Sequence, residues 1–161
     1  MAEQATAVAA VAVGPGEGTT VEGPTGGPLT FKVRGEQTGG RLLALENVVA
    51  PGEGPPEHTH ANEDETWYVL EGTLRFKLDG ELSVTAAGSY VYVPRGVRHC
   101  FQNIGDAPAR ILLNFTPAGM EKFFDAFARL SAPVDPDAFR KLGEPAGMTV
   151  TGPTLAKSDP L

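Results

Sequence analysis

At 161 residues with 41% hydrophobic composition, the chain is long enough to bury one core and suits a single main domain. A formal net charge of −7 argues against a general affinity for nucleic acid or anionic membranes, while 20 glycines and 14 prolines suggest short strands joined by tight turns. The lone cysteine, Cys100, rules out an internal disulfide and points to a reducing compartment, and the apolar stretch Ala5–Val13 lacks a basic flank and is too short to span a bilayer, so a cytoplasmic location is expected.

Residues 1–28 read as an N-terminal arm with two short β-like pieces, Val8–Val13 and Thr19–Val21, separated by Gly14-Pro15-Gly16-Glu17-Gly18. The valine-rich piece has no partner in a hairpin of its own. It reads either as a frayed tail or as an arm that pairs with a sheet edge or a second subunit, and the arm reading gives a homodimer whose interface includes part of residues 5–21.

Residues 29–118 carry regular strand signals. Leu29, Phe31 and Val33 alternate with polar residues, and Gly35–Gly40 is a turn before the run Arg41–Val49. Leu74, Phe76 and Leu78 alternate with Arg75, Lys77 and Asp79, after which Asp79-Gly80 marks a two-residue hairpin continued by Leu82 and Val84. Ser89–Val93 and Arg110–Phe115 add further strands. The pattern predicts an all-β, antiparallel sandwich or barrel. In residues 119–161, Met120, Phe123, Phe124, Phe127 and Leu130 recur at helical spacing, so a short amphipathic helix is expected over Gly119–Leu130. Asp135–Phe139 reads as another helical turn, and the last dozen residues read as irregular.

All three histidines fall between Gly52 and Asn103. His58 and His60 are two apart, so on a strand they project from one face. A carboxylate on the neighbouring strand can close on them, and His99 can add a fourth ligand from across the barrel. Glu63 and Asp64 could stand in for Glu65 as that carboxylate. Strand parity favours Glu65 and leaves the other two as solvated turn residues. Imidazoles with one carboxylate suit a single divalent first-row ion: iron, manganese, cobalt, nickel, copper or zinc. Alternation from Glu65 turns Trp67 and Val69 inward, alternation from His99 does the same for Phe101 and Asn103, and Trp67 and Phe101 become core residues or, alternatively, candidates for the substrate pocket. Cys100 should face away from the metal, and Arg95 and Arg98 should sit at the rim.

The segment Gly52–Gly72 follows the pattern Gly-x5-His-x-His-x4-Glu-x6-Gly, and Gly88–Asn103 follows Gly-x5-Pro-x-Gly-x2-His-x3-Asn. Both resemble the two motifs of the cupin superfamily. The resemblance covers Leu29–Phe115 and implies an antiparallel double-stranded β-helix, the cupin or jelly-roll barrel. It also implies a metal held by His58, His60, Glu65 and His99, and dimerisation through sheet extension.

The intact ligand set, the segment Glu63–Gly72 and the run Phe115-Thr116-Pro117-Ala118-Gly119 resemble the quercetinase-like branch. That resemblance implies a dioxygenase acting on a flavonol or similar aromatic enol with dioxygen, Glu65 serving as both ligand and catalytic base. The first alternative is a non-redox metal enzyme such as a polyketide cyclase or isomerase, and the second is a non-catalytic metal or small-molecule binding protein. An acidic chain without room for a DNA-reading domain disfavours a transcriptional regulator.

Overall fold

Alternating burial runs through most of the strands, and it builds two antiparallel sheets facing each other across one core. The computed structural model describes residues 7–161. In chain order the strands are β1 (Thr19–Glu22), β2 (Pro28–Val33), β3 (Leu43–Val49), β4 (Pro56–His60), β5 (Asp64–Glu71), β6 (Thr73–Leu78), β7 (Glu81–Ala86), β8 (Tyr90–Val93), β9 (His99–Asn103), β10 (Ala109–Thr116) and β11 (Met148–Thr154). Between β10 and β11 lie two helices, α1 (Glu121–Ala128) and α2 (Ala138–Gly143), and α3 (Leu155–Ser158) follows β11. One sheet has the order β1-β2-β3-β10-β5-β8 and the other β11-β4-β9-β6-β7. The fold is a double-stranded β-helix with a short C-terminal helical unit.

Central strand β10 shows why the pattern works. Ala109, Ile111, Leu113 and Phe115 are buried while the residues between them are only partly covered. On β3 the buried positions Leu43, Leu45 and Val49 meet them across the pair. Trp67, Leu74 and Phe76, all fully buried, complete the core between the sheets. The β6–β7 hairpin turns at Asp79-Gly80, as expected. Both residues take positive φ, 47° and 92°, which is what a two-residue turn matched to the strand twist requires.

The N-terminal arm divides in two. Thr19–Glu22 pairs with β2, whereas Val8–Val13 forms no strand. Val8 instead lies against the turn at Gly39, and residues 5 and 6 of the expected interface lie outside the described residues. The segment after β1 belongs to the barrel: Thr25 is buried and hydrogen-bonded to Asn47 on β3.

The C-terminal region holds more structure than its sequence suggests. Met148–Thr154, which runs into the last dozen residues, expected to be irregular, pairs with β4 through Met148↔His60 and Val150↔His58. Gly152 and Pro153 hide this strand in the sequence. Both are accommodated because β11 is an edge strand whose register shifts between Val150 and Thr154. The following helix α3 covers the outer face of β9, where the buried Arg75 guanidinium donates to the Leu155 carbonyl at 3.2 Å and to Gln102 Oε1 at 2.8 Å. Every residue of β9 is consequently buried on both faces.

Candidate metal centre

Strand β4 presents His58 and His60 from one face, both buried. The turn after it, Ala61–Glu63, carries the chain across to the other sheet, where β5 delivers Glu65. His99 opens β9 and pairs directly with His58. This corrects the expected placement. His99 comes from the strand beside β4, and Glu65 is the ligand that reaches from across the barrel. The reason lies in that turn: three residues suffice to cross between facing sheets, so sequence neighbours end up opposite each other.

One donor atom from each of His58, His60, Glu65 and His99 lies within 4.8 Å of the others, and all four residues are buried. Glu65 Oε2 is 2.8 Å from His99 Nε2 and 2.9 Å from His60 Nε2. His58 Nδ1 is 2.7 Å from the Pro56 carbonyl and His99 Nδ1 is 2.9 Å from the Val97 carbonyl. The Pro56 carbonyl draws the His58 ring proton to Nδ1 and leaves its Nε2 lone pair free, whereas His99 engages Val97 through Nδ1 and Glu65 through Nε2. Burial holds the His58 imidazole well below its usual pKa, with His99 and His60 adding to the effect, so it stays neutral as a ligand must. Burial opposes ionisation of Glu65, yet His60 and His99 override it and hold the carboxyl down at about 2. His99 is desolvated too, but its bond to Glu65 prevails and raises it.

Neither ring nitrogen of His60 has a hydrogen-bond partner among the described residues, because Glu65 Oε2 is close to Nε2 but off the line that such a bond needs. A buried imidazole left this way, beside two others and an ionised carboxylate, fits a first-row cation. Such an ion would satisfy the orphaned donor and neutralise the buried charge.

The centre opens on a narrow cavity of about 40 Å³. Phe101 and Phe115 line its barrel side, Met120, Phe123 and Phe124 line it around α1, and Phe139 and Met148 come from α2 and β11. The aromatic stripe of α1 therefore packs the barrel mouth and faces the site at once. Trp67 is placed behind His99, with ring centroids 5.5 Å apart, and packs on Phe76 and Phe101 without lining the cavity. The contributions of α2 and β11 were missed in the sequence. The pair Phe123–Phe139 at 5.4 Å is a contact that only the folded helical unit reveals.

Three neighbours differ in their fates. Glu63, expected to be solvated, is 3% exposed, and burial pushes its carboxyl up. Asp64 does sit at the rim, paired with Arg95 at 3.1 Å. Cys100 is buried, and burial with the nearby Glu57 carboxylate pushes its thiol up to about 11. The native protein is expected to react with Ellman's reagent at least ~100-fold more slowly than the denatured chain. Comparable rates in the two states would contradict the burial.

An antiparallel double-stranded β-helix with a buried three-histidine, one-carboxylate cluster defines the class. The family model described as "Cupin domain" matches residues 46–115. Among curated relatives, "Polyketide synthase CurC" of Streptomyces cyaneus is 39% identical over 70 residues, covering 44% of this chain and 46% of its own. "Tetracenomycin polyketide synthase protein TcmJ" of Streptomyces glaucescens is 36% identical over 80 residues, covering 50% and 52%. The match thus spans about half the length of these relatives. A structure described as a predicted oxalate decarboxylase from Thermotoga maritima superposes with a TM-score of 0.60 at 22% identity, covering 66% of this chain and 99% of that one. At that identity the likeness concerns the fold. Among the described residues no helix is long and apolar enough to cross a membrane.

Proposed function

We propose that the protein is a metal-dependent enzyme acting on an enolisable, aromatic or polyketide-type small molecule, in a non-redox cyclisation or isomerisation. The observation that carries the reading is the four-ligand cluster at the base of an aromatic-lined cavity. A bound ion would supply Lewis-acid polarisation of a ketone or enol oxygen. The phenylalanines of α1 and α2 close over the cluster and would exclude water, and at about 40 Å³ the space between them would have to widen to admit a flat apolar substrate. Glu65, kept ionised by its histidines, is the group placed to take a proton from the substrate. The names of two relatives, both tied to polyketide synthesis, support this substrate class.

The dioxygenase reading shares the site and the substrate type and adds dioxygen as co-substrate. The complete ligand set, with its buried carboxylate, is the feature that favours it. Purified protein loaded in turn with each first-row ion, incubated with aromatic enols in an oxygen electrode, separates the two. Product formation without oxygen uptake supports the non-redox reading. Stoichiometric uptake replaces it with the dioxygenase, and no turnover under any metal leaves a binding protein.

We also propose a cytoplasmic homodimer assembled partly through the N-terminal arm. Val8 and Val11 support it, being 44% and 46% exposed on a segment without a strand partner among the described residues. Because residues 19–27 are built into the barrel, the informative truncation removes residues 1–13. Light scattering should give a dimer for the full chain and a lower mass for the truncated one. A monomeric full chain rejects the dimer, and an unchanged dimer rejects the arm.

A further inference from the structure

Three imidazoles that give Nε2 to one ion must each carry a proton on Nδ1, and a buried N–H without an acceptor is costly. His58 and His99 solve this alike, each turning Nδ1 to the carbonyl two residues back, at 2.7 and 2.9 Å. His60 does not. Its Nδ1 has no hydrogen-bond partner among the described residues, and it faces Glu63 Oε2 at 4.0 Å. That oxygen is likewise buried and has no hydrogen-bond partner among the described residues. A donor and an acceptor, both orphaned and both buried, therefore point at each other across a gap about 1 Å too wide for a hydrogen bond. The backbone makes room for this arrangement at Gly119, where a Cβ would stand 3.0 Å from Glu63 Oε1.

We propose that Glu63 is the positioning residue for His60, accepting its Nδ1–H in a hydrogen bond when Nε2 binds an ion. In the motif Gly-x5-His-x-His-x4-Glu, Glu63 occupies one of the four unspecified positions, so nothing in the pattern assigns it a role. The closing bond fixes the ring's tautomer and rotation and raises its strength as a donor. The two backbone-anchored histidines are set by the strand itself, whereas His60 is set by a side chain that mutation can alter. The inference rests on the metal-centre reading above.

The test is a cobalt(II) titration of the full-length protein, reading the dissociation constant by chelator competition and the visible d–d spectrum of the bound ion. Glu63→Gln keeps an acceptor oxygen at nearly the same volume and is expected to bind within ~3-fold of the unsubstituted protein with the same spectrum. Glu63→Met fills the volume without a comparable acceptor, and Glu63→Ala removes it. Both are expected to weaken cobalt by ~10–100-fold and to shift the bands. Melting of the metal-free forms checks the fold, and loss of a buried carboxylate whose Oε2 has no hydrogen-bond partner among the described residues should not lower it. Unchanged affinity and spectrum in the Met and Ala variants overturn the positioning role alone. So does a Gln variant as weak as Met, which would make charge the issue. An unsubstituted protein that takes up no cobalt overturns the metal centre and the inference with it.

Discussion

His99→Ala is expected to lower the affinity for divalent metal by more than ~100-fold, an effect larger than that of losing an orienting partner. The reason is the place of His99 in the cluster. It pairs with His58 across β4 and β9, and its Nε2 lies 2.8 Å from Glu65. Removing it takes away one donor and the main hydrogen-bond partner of the buried carboxylate together. His58→Ala should behave similarly, and the triple variant lacking His58, His60 and His99 should hold no stoichiometric metal after dialysis. Elemental analysis of each purified variant reads this out, with near-ultraviolet circular dichroism to confirm the fold. A triple variant that retains one equivalent would place the metal elsewhere.

Glu65→Gln is expected to leave a folded barrel with weakened metal and a rate reduced by ~10²–10⁴-fold at saturating metal. Gln keeps the size and an oxygen near His99 but loses charge and basicity. At the base of this pocket the carboxyl is held at about 2, so it is ionised throughout the neutral range. Gln removes that charge, and the loss should appear in turnover more than in stability. The decisive comparison is the rate per bound metal ion. Equal rates for Gln and the unsubstituted protein would remove the proton-transfer role, whatever happened to affinity.

Much of this was legible because the informative residues obey short-range rules. Two histidines at i and i+2 on a strand must share a face, and Asp79-Gly80 can close a two-residue hairpin whatever surrounds it. What stayed hidden depended on chain crossings. Glu63 sits in an acidic run that looks solvated, yet the turn to the second sheet folds it beneath Gly119. The side of approach of Glu65 and His99 followed from the same crossing. Val8–Val13 has the composition of a strand, yet Val8 lies against the turn at Gly39 and the segment leaves the outer edge of β1 unpaired among the described residues. Strand β11 was masked by Gly152-Pro153, which only an edge position tolerates.

That last strand has a bearing on the order of events in a growing chain. All four ligands lie between residues 58 and 99, and they leave the ribosome well before residues 148–154. Until then, β4 is held on one side only, through the single pairing of His58 with His99. Its other edge is closed when Met148 and Val150 dock opposite His60 and His58. A nascent chain therefore owns the whole ligand cluster before the strand that closes the outer edge of β4 has been made.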